Sequence, residues 1–129
     1  MRKLIGFLAS MAFAAAALAT PAPAPVRTEI EALLAKLQAS GCEFNRNGTW
    51  YSAGEAKNHL QRKLEYLENK ATLRSTEQFI ELAASSSSSS GQSYQVKCGA
   101  TPALPSAQWL TKELAAIRLS ARQAASAPR

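Results

Sequence analysis

The chain is 129 residues long, with 15 Lys and Arg against 9 acidic residues, a single His, two Cys and a net charge of +6. Every acidic residue is Glu, which excludes Asp-based triads, aspartyl dyads and EF-hand loops. One His and two Cys cannot close a Cys/His zinc site, and there is no Gly-rich phosphate loop or nucleophile elbow, so no metal, cofactor or assembled catalytic set is expected.

Met1-Arg2-Lys3 precedes an uncharged, largely apolar run from Leu4 to Leu18 that closes on Ala17-Leu18-Ala19. A basic start, a short apolar stretch and small residues at alternate positions predict a secretory signal peptide over residues 1–19. The run falls short of the roughly 20 residues a spanning helix needs, so no stable membrane span is expected after cleavage. The expected location is the periplasm of a Gram-negative-type bacterium. Residues 20–129 carry 13 basic and 9 acidic side chains, and the basic ones are dispersed among glutamates. Dispersed charge in an exported chain argues against nucleic acid as a partner.

Residues 20–27 alternate Pro with small residues and predict a stiff extended spacer. A single domain is expected over 28–121. Thr28-x-x-Glu31 reads as a capping box opening a first helix, with Ile30, Leu33, Leu34 and Leu37 on one face and Gly41 as the stop.

Gly41 to Tyr51 differs in composition from the Ala/Leu/Glu/Lys-rich text around it. Asn47-Gly48 favours a two-residue type I′ turn, pairing Arg46 with Thr49, Asn45 with Trp50 and Phe44 with Tyr51. Alternation then directs Cys42, Phe44 and Tyr51 to one face and Asn45 and Trp50 to the other. Tyr94, Val96 and Cys98 share a face in a further strand. Two cysteines in an exported chain predict a Cys42–Cys98 disulfide, which orients that strand antiparallel to the first. A three-stranded antiparallel sheet is the economical arrangement.

Ser52-x-x-Glu55 caps a second helix with Ala56, Leu60, Leu64 and Leu67 inward, out to about Asn69. Ser75-x-x-Gln78 caps a short third helix carrying Phe79, Ile80 and Leu82. The run Ser85–Ser90, followed by Gly91, reads as a surface loop, with binding of an anion or a glycan through its hydroxyls and backbone N–H groups as the alternative. Ser106 is the expected N-cap of a last helix with Trp109, Leu110, Leu114 and Ile117 inward, and residues 122–129 read as a disordered tail. The sum is an α+β domain of four helices on a three-stranded sheet with one disulfide.

Several blocks in this order carry a family resemblance: Ser40 through Tyr51, Ala56-x-x-His59-Leu60, Ser75-x-x-x-Phe79-Ile80, Ser90-Gly91-x-x-Tyr94-x-Val96-x-Cys98, and Trp109-Leu110. Together they resemble the YfeK-like family, small exported bacterial proteins carrying a domain of unknown function. The resemblance implies a periplasmic, single-domain protein and carries over no catalytic residues.

The candidate contact surface is Trp50 with Asn45 and Arg46, Trp50 offering a face on which a sugar ring or partner side chain can stack. A second candidate is His59 with Glu55, four residues before it on the same helix face. Glu55 orienting His59 as a base for a serine would make a small secreted hydrolase. The leading expectation is a monomeric, non-catalytic binding or envelope-interaction module whose partner is an envelope protein or a glycan. Inhibition of a secreted hydrolase is a further alternative.

Overall fold

In the computed structural model, helix α1 (Ala24–Ala39) begins four residues ahead of the expected capping box. Pro23 is its N-cap and Pro25 sits in its first turn. Proline is well suited there, because the N–H it lacks has no partner in a first helical turn and its φ is already helical. Residues 24–27 of the expected spacer are thus helix, and Thr28 and Glu31 lie inside it, with Arg27 Nε donating to Glu31 at 3.0 Å. The structure describes Gly6 and residues 22–126; the expected signal peptide, Gly6 aside, and residues 127–129 of the expected tail lie outside them.

Ile30, Leu33, Leu34 and Leu37 are buried on one face of α1. At its end Gly41, with φ of 66°, turns the chain into strand β1 (Glu43–Arg46), which pairs with β2 (Thr49–Tyr51) across the Asn47-Gly48 turn. Both turn residues have positive φ, 53° and 84°, as a type I′ turn requires. The observed register is the expected one: Phe44 opposite Tyr51, Asn45 opposite Trp50, Arg46 opposite Thr49.

Helix α2 (Ala53–Lys70) is capped by Ser52, whose Oγ accepts from the Glu55 N–H, and α3 (Thr76–Ala83) by Ser75, which accepts from Gln78. Ala56, Leu60 and Leu64 of α2 are buried with Phe79 and Ile80 of α3. Leu82 does not join them. It is 48% exposed, because the inward face of so short a helix passes to Ala83 and Ala84.

The sheet has four strands, not three, in the order β2-β1-β3-β4. β3 (Gln95–Lys97) pairs antiparallel with β1, and its other edge is taken by Leu104–Pro105, a two-residue strand β4. Proline belongs on such an edge, where its missing N–H leaves no central ladder unpaired. Cys42 and Cys98 extend the β1–β3 register and are joined, with Cα atoms 4.3 Å apart.

Helix α4 (Ser106–Ser126) buries Trp109, Leu110 and Leu114, half-buries Ile117, and continues through 122–126, five residues of the expected tail. Ser106 does not cap it: its hydroxyl donates to the Ala84 carbonyl and its N–H to the Tyr94 carbonyl. That buried serine therefore joins the α3 end, β3 and α4. Arg118 adds a second tie, donating from Nη2 to Glu29 at 2.8 Å and also pairing with Glu77, so α1, α3 and α4 meet on one guanidinium. Phe44 and Val96 fill the inner face of the sheet, while Glu43, Asn45, Trp50, Gln95 and Lys97 remain exposed or half-buried on the outer one. Among the described residues no helix is long and apolar enough to cross a membrane.

Candidate functional site

The residues expected to form one surface are divided between the two faces of the sheet. Asn45 and Trp50, cross-strand partners, point outward, and Trp50 is 41% exposed. Asn45 also has local work, its Oδ1 accepting the Gly48 N–H at 3.1 Å and so bracing the turn. Arg46, one residue on, points to the inner side and reaches α2. There its Nη1 lies 2.9 Å from His59 Nδ1 and its Nη2 donates to Tyr51 Oη at 3.4 Å, with the guanidinium carbon 5.0 Å from the Tyr51 ring centroid.

His59 therefore meets Arg46 and not Glu55. Glu55 spends its backbone N–H on the Ser52 cap, and among the described residues its carboxylate makes no hydrogen bond to the imidazole. An arginine has only donors, so the short contact requires a bare Nδ1 and places the ring proton on Nε2. Nε2 faces Tyr94 Oη at 3.4 Å, and Lys63 Nζ donates to the same oxygen at 3.1 Å. The Tyr94 oxygen thus accepts from two donors and keeps its own proton to give.

Electrostatics agree with this bonding. Burial, then Arg46, Lys63 and Arg62, hold the His59 imidazole down at about 4. Burial and Arg46 also push the Lys63 ammonium below its ordinary range, and burial raises the Tyr94 phenol. His59 is therefore neutral at pH 7, one uncharged ring among cations.

These side chains line a two-lobed cleft. The first lobe, about 210 Å³, is walled by Phe44, Tyr51 and Ala56 with Arg46, His59 and Arg62. The second, about 370 Å³, shares those last three and adds Lys63, Tyr94 and the serine run. Ser87 is buried and its Oγ contacts Ser89 Oγ at 3.0 Å, while Ser88 and Ser89 face the cleft. The run is held at three points: Ser85 Oγ donates to the Ile80 carbonyl at 2.7 Å, Ser86 bridges Ser93, and Ser90 Oγ donates to Asn47 Oδ1 at 2.6 Å.

The cations here resemble most others among the described residues in lacking a carboxylate partner, and differ in converging on one cleft. Arg27 and Arg118 are each paired with two glutamates. Among the described residues Arg46, Arg62 and Lys63 have no carboxylate within ion-pair distance, and Glu55, on the first lobe, is the only acidic residue lining either lobe. No group of three His, Cys or acidic residues suited to a metal is found among the described residues.

Arg62 and Tyr94 were absent from the sequence-derived candidates, and the serine run entered them only as the alternative to a surface loop. Arg62 and Lys63 follow His59 by three and four positions, so helical spacing alone places all three on one side of α2. Nothing local in the sequence places the serine run over them.

The fold and cleft define a disulfide-pinned α+β domain with a basic, hydroxyl-lined site. The chain belongs to DUF5329, a family of unknown function, which it matches over residues 24–118. No curated protein and no solved structure matches it.

Proposed function

We propose that this chain is an exported, periplasmic, non-catalytic binding module, and that its ligand seats in the cleft between the β1–β2 hairpin, α2 and the serine run. The observation that carries the reading is the convergence of Arg46, Arg62 and Lys63 on one cleft, none of the three with a carboxylate partner among the described residues. A cleft whose charged lining is mostly basic, three cations against Glu55, concentrates anionic ligands. Export rests on the basic, apolar and small-residue pattern of residues 1–19, and the YfeK-like resemblance agrees with it.

The test is an amide NMR titration of isotope-labelled protein with the low-mass fraction of a periplasmic extract. Saturable shifts confined to Arg46, His59, Lys63, Ser87–Ser89 and Tyr94 are expected. Shifts spread over the surface, or none, overturn the reading. Mass spectrometry of the secreted form tests export, with processing after Ala19 expected.

Trp50 supports a second reading. Its indole stands on the outer sheet face across from Asn45, with Gln95 one strand further on, where it can stack on a glycan ring or a partner side chain. Extract-induced shifts confined to Trp50, Asn45 and Gln95, abolished by Trp50→Ala, would favour this face over the cleft.

A further inference from the structure

Resting on the cleft being the binding site, we infer that its ligand is a small phosphate monoester, with the phosphate in the lobe under the serine run and the organic part in the lobe walled by Phe44, Tyr51 and Ala56.

The phosphate lobe is composed almost wholly of donors. Arg46 and Arg62 present guanidinium forks, Lys63 an ammonium, Tyr94 the one proton its accepting oxygen retains, and Ser88 and Ser89 hydroxyls. Arginine forks match phosphate oxygens in pairs, and hydroxyls complete such a shell. No carboxylate lines this lobe to compete with an anion.

Charge favours a dianion over a monoanion. Three cations converge, and His59, kept neutral by its burial and its contact with Arg46, adds none. A carboxylate leaves about two positive charges uncompensated, whereas a phosphate monoester, whose second pKa is about 6, brings nearly two negative charges at neutral pH.

The adjoining lobe argues for an ester over free phosphate. It adjoins the phosphate lobe, sharing Arg46, His59 and Arg62 with it, and beside Glu55 and Asn58 its wall offers the apolar surfaces of Phe44, Tyr51 and Ala56. Its volume of about 210 Å³ exceeds the roughly 150 Å³ in which an apolar protein cavity accommodates benzene, so a ring-sized body fits.

Isothermal titration calorimetry of the purified protein at pH 7.5 tests this with phenyl phosphate, inorganic phosphate, benzoate and phenol. Phenyl phosphate is expected to bind at least tenfold more tightly than inorganic phosphate or benzoate, and phenol not to bind. Arg62→Gln, at an exposed position without a protein partner among the described residues, should weaken phenyl phosphate at least tenfold at unchanged Tm. Lys63→Gln should weaken it by a similar factor, with a fall in Tm from the lost bond to Tyr94 that Arg62→Gln does not share. Benzoate binding as tightly as phenyl phosphate overturns the phosphate assignment, and inorganic phosphate binding as tightly overturns the role of the second lobe. Affinity unchanged in both variants, or no binding by any anion, overturns the inference altogether. Cleft shifts with periplasmic extract would in that case leave the binding-module reading standing with another ligand class, and their absence would remove both.

Discussion

Arg46 Nη1 stands 2.9 Å from His59 Nδ1, a contact between a group that can only donate and a ring that must therefore offer a lone pair. The pair joins β1 to α2 at the point where the two lobes of the cleft meet. It also fixes the protonation of the one histidine in the chain.

His59 should accordingly titrate near 4, below the ordinary imidazole value of 6.5, with burial the largest cause and Arg46 the next. In the unfolded chain the ring takes up its proton first as the pH falls. The folded state is thus penalised progressively from about pH 6.5 down to about 4, and the penalty is constant below that. Thermal melts should show Tm falling across this window, with a shallower fall in His59→Gln. Arg46→Gln should raise the titration midpoint measured by imidazole NMR. A midpoint near 6.5 in the wild type would contradict the donor-lined environment described above.

Cys42 and Cys98 lie 56 positions apart and close the hairpin, α2, α3 and the serine run into one loop. Chain-entropy arithmetic for such a loop gives a stabilisation of roughly 4 kcal/mol. The double variant Cys42→Ala/Cys98→Ala should lose about 2–5 kcal/mol in urea denaturation, and reduction of the wild type should produce a comparable loss. Equal midpoints for oxidised and reduced protein would show that the bridge does not constrain the chain.

What the sequence made legible was what short-range chemistry determines. Asn47-Gly48 specified its turn, the turn specified the β1–β2 register, and alternation from Phe44 to Tyr51 followed. The same alternation implies that Arg46 shares the inward side with Phe44, so grouping it with Trp50 as one surface went against a rule the sequence already supplied. The start of α1 was missed because proline tolerates the first helical turn as readily as an extended spacer. The fourth strand was missed because Leu104-Pro105 has no strand periodicity; tertiary pairing with β3 makes it a strand. The serine run was legible as a candidate anion-binding loop from its hydroxyls, but not as a cover for α2, because its composition says nothing about what it lies over. Its placement depends on the Ser90–Asn47 hydrogen bond, between residues 43 positions apart.

That hydrogen bond makes the turn a support for the cleft as well as for the hairpin. Gly48→Ala, at φ of 84°, should cost about 1–2 kcal/mol, since an L side chain is strained in the left-handed region. Ser90→Ala should leave the hairpin intact while raising amide exchange at 87–91. If both variants leave exchange in that run unchanged, the run is held by the Ser86–Ser93 bridge and the Ser85–Ile80 hydrogen bond without help from the turn.

The last relationship lies at the other end of the molecule. Glu68, only 7% exposed, accepts the Ala22 N–H at 2.9 Å on one carboxylate oxygen and pairs with Arg27 on the other. Arg27 is 37% exposed and keeps Glu31 as an i,i+4 partner, so loss of its ion pair with Glu68 should cost little by itself. The larger effect is the buried Ala22 N–H, which Glu68→Ala leaves without its acceptor, at about 1–3 kcal/mol. Glu68→Gln keeps an amide oxygen for that N–H and should cost distinctly less. Hydrogen exchange can place the effect: faster exchange at 22–27 with unchanged protection at Leu33, Leu34 and Leu37 locates it at the entry to α1. Equal destabilisation by Ala and Gln would instead assign the role of Glu68 to its charge.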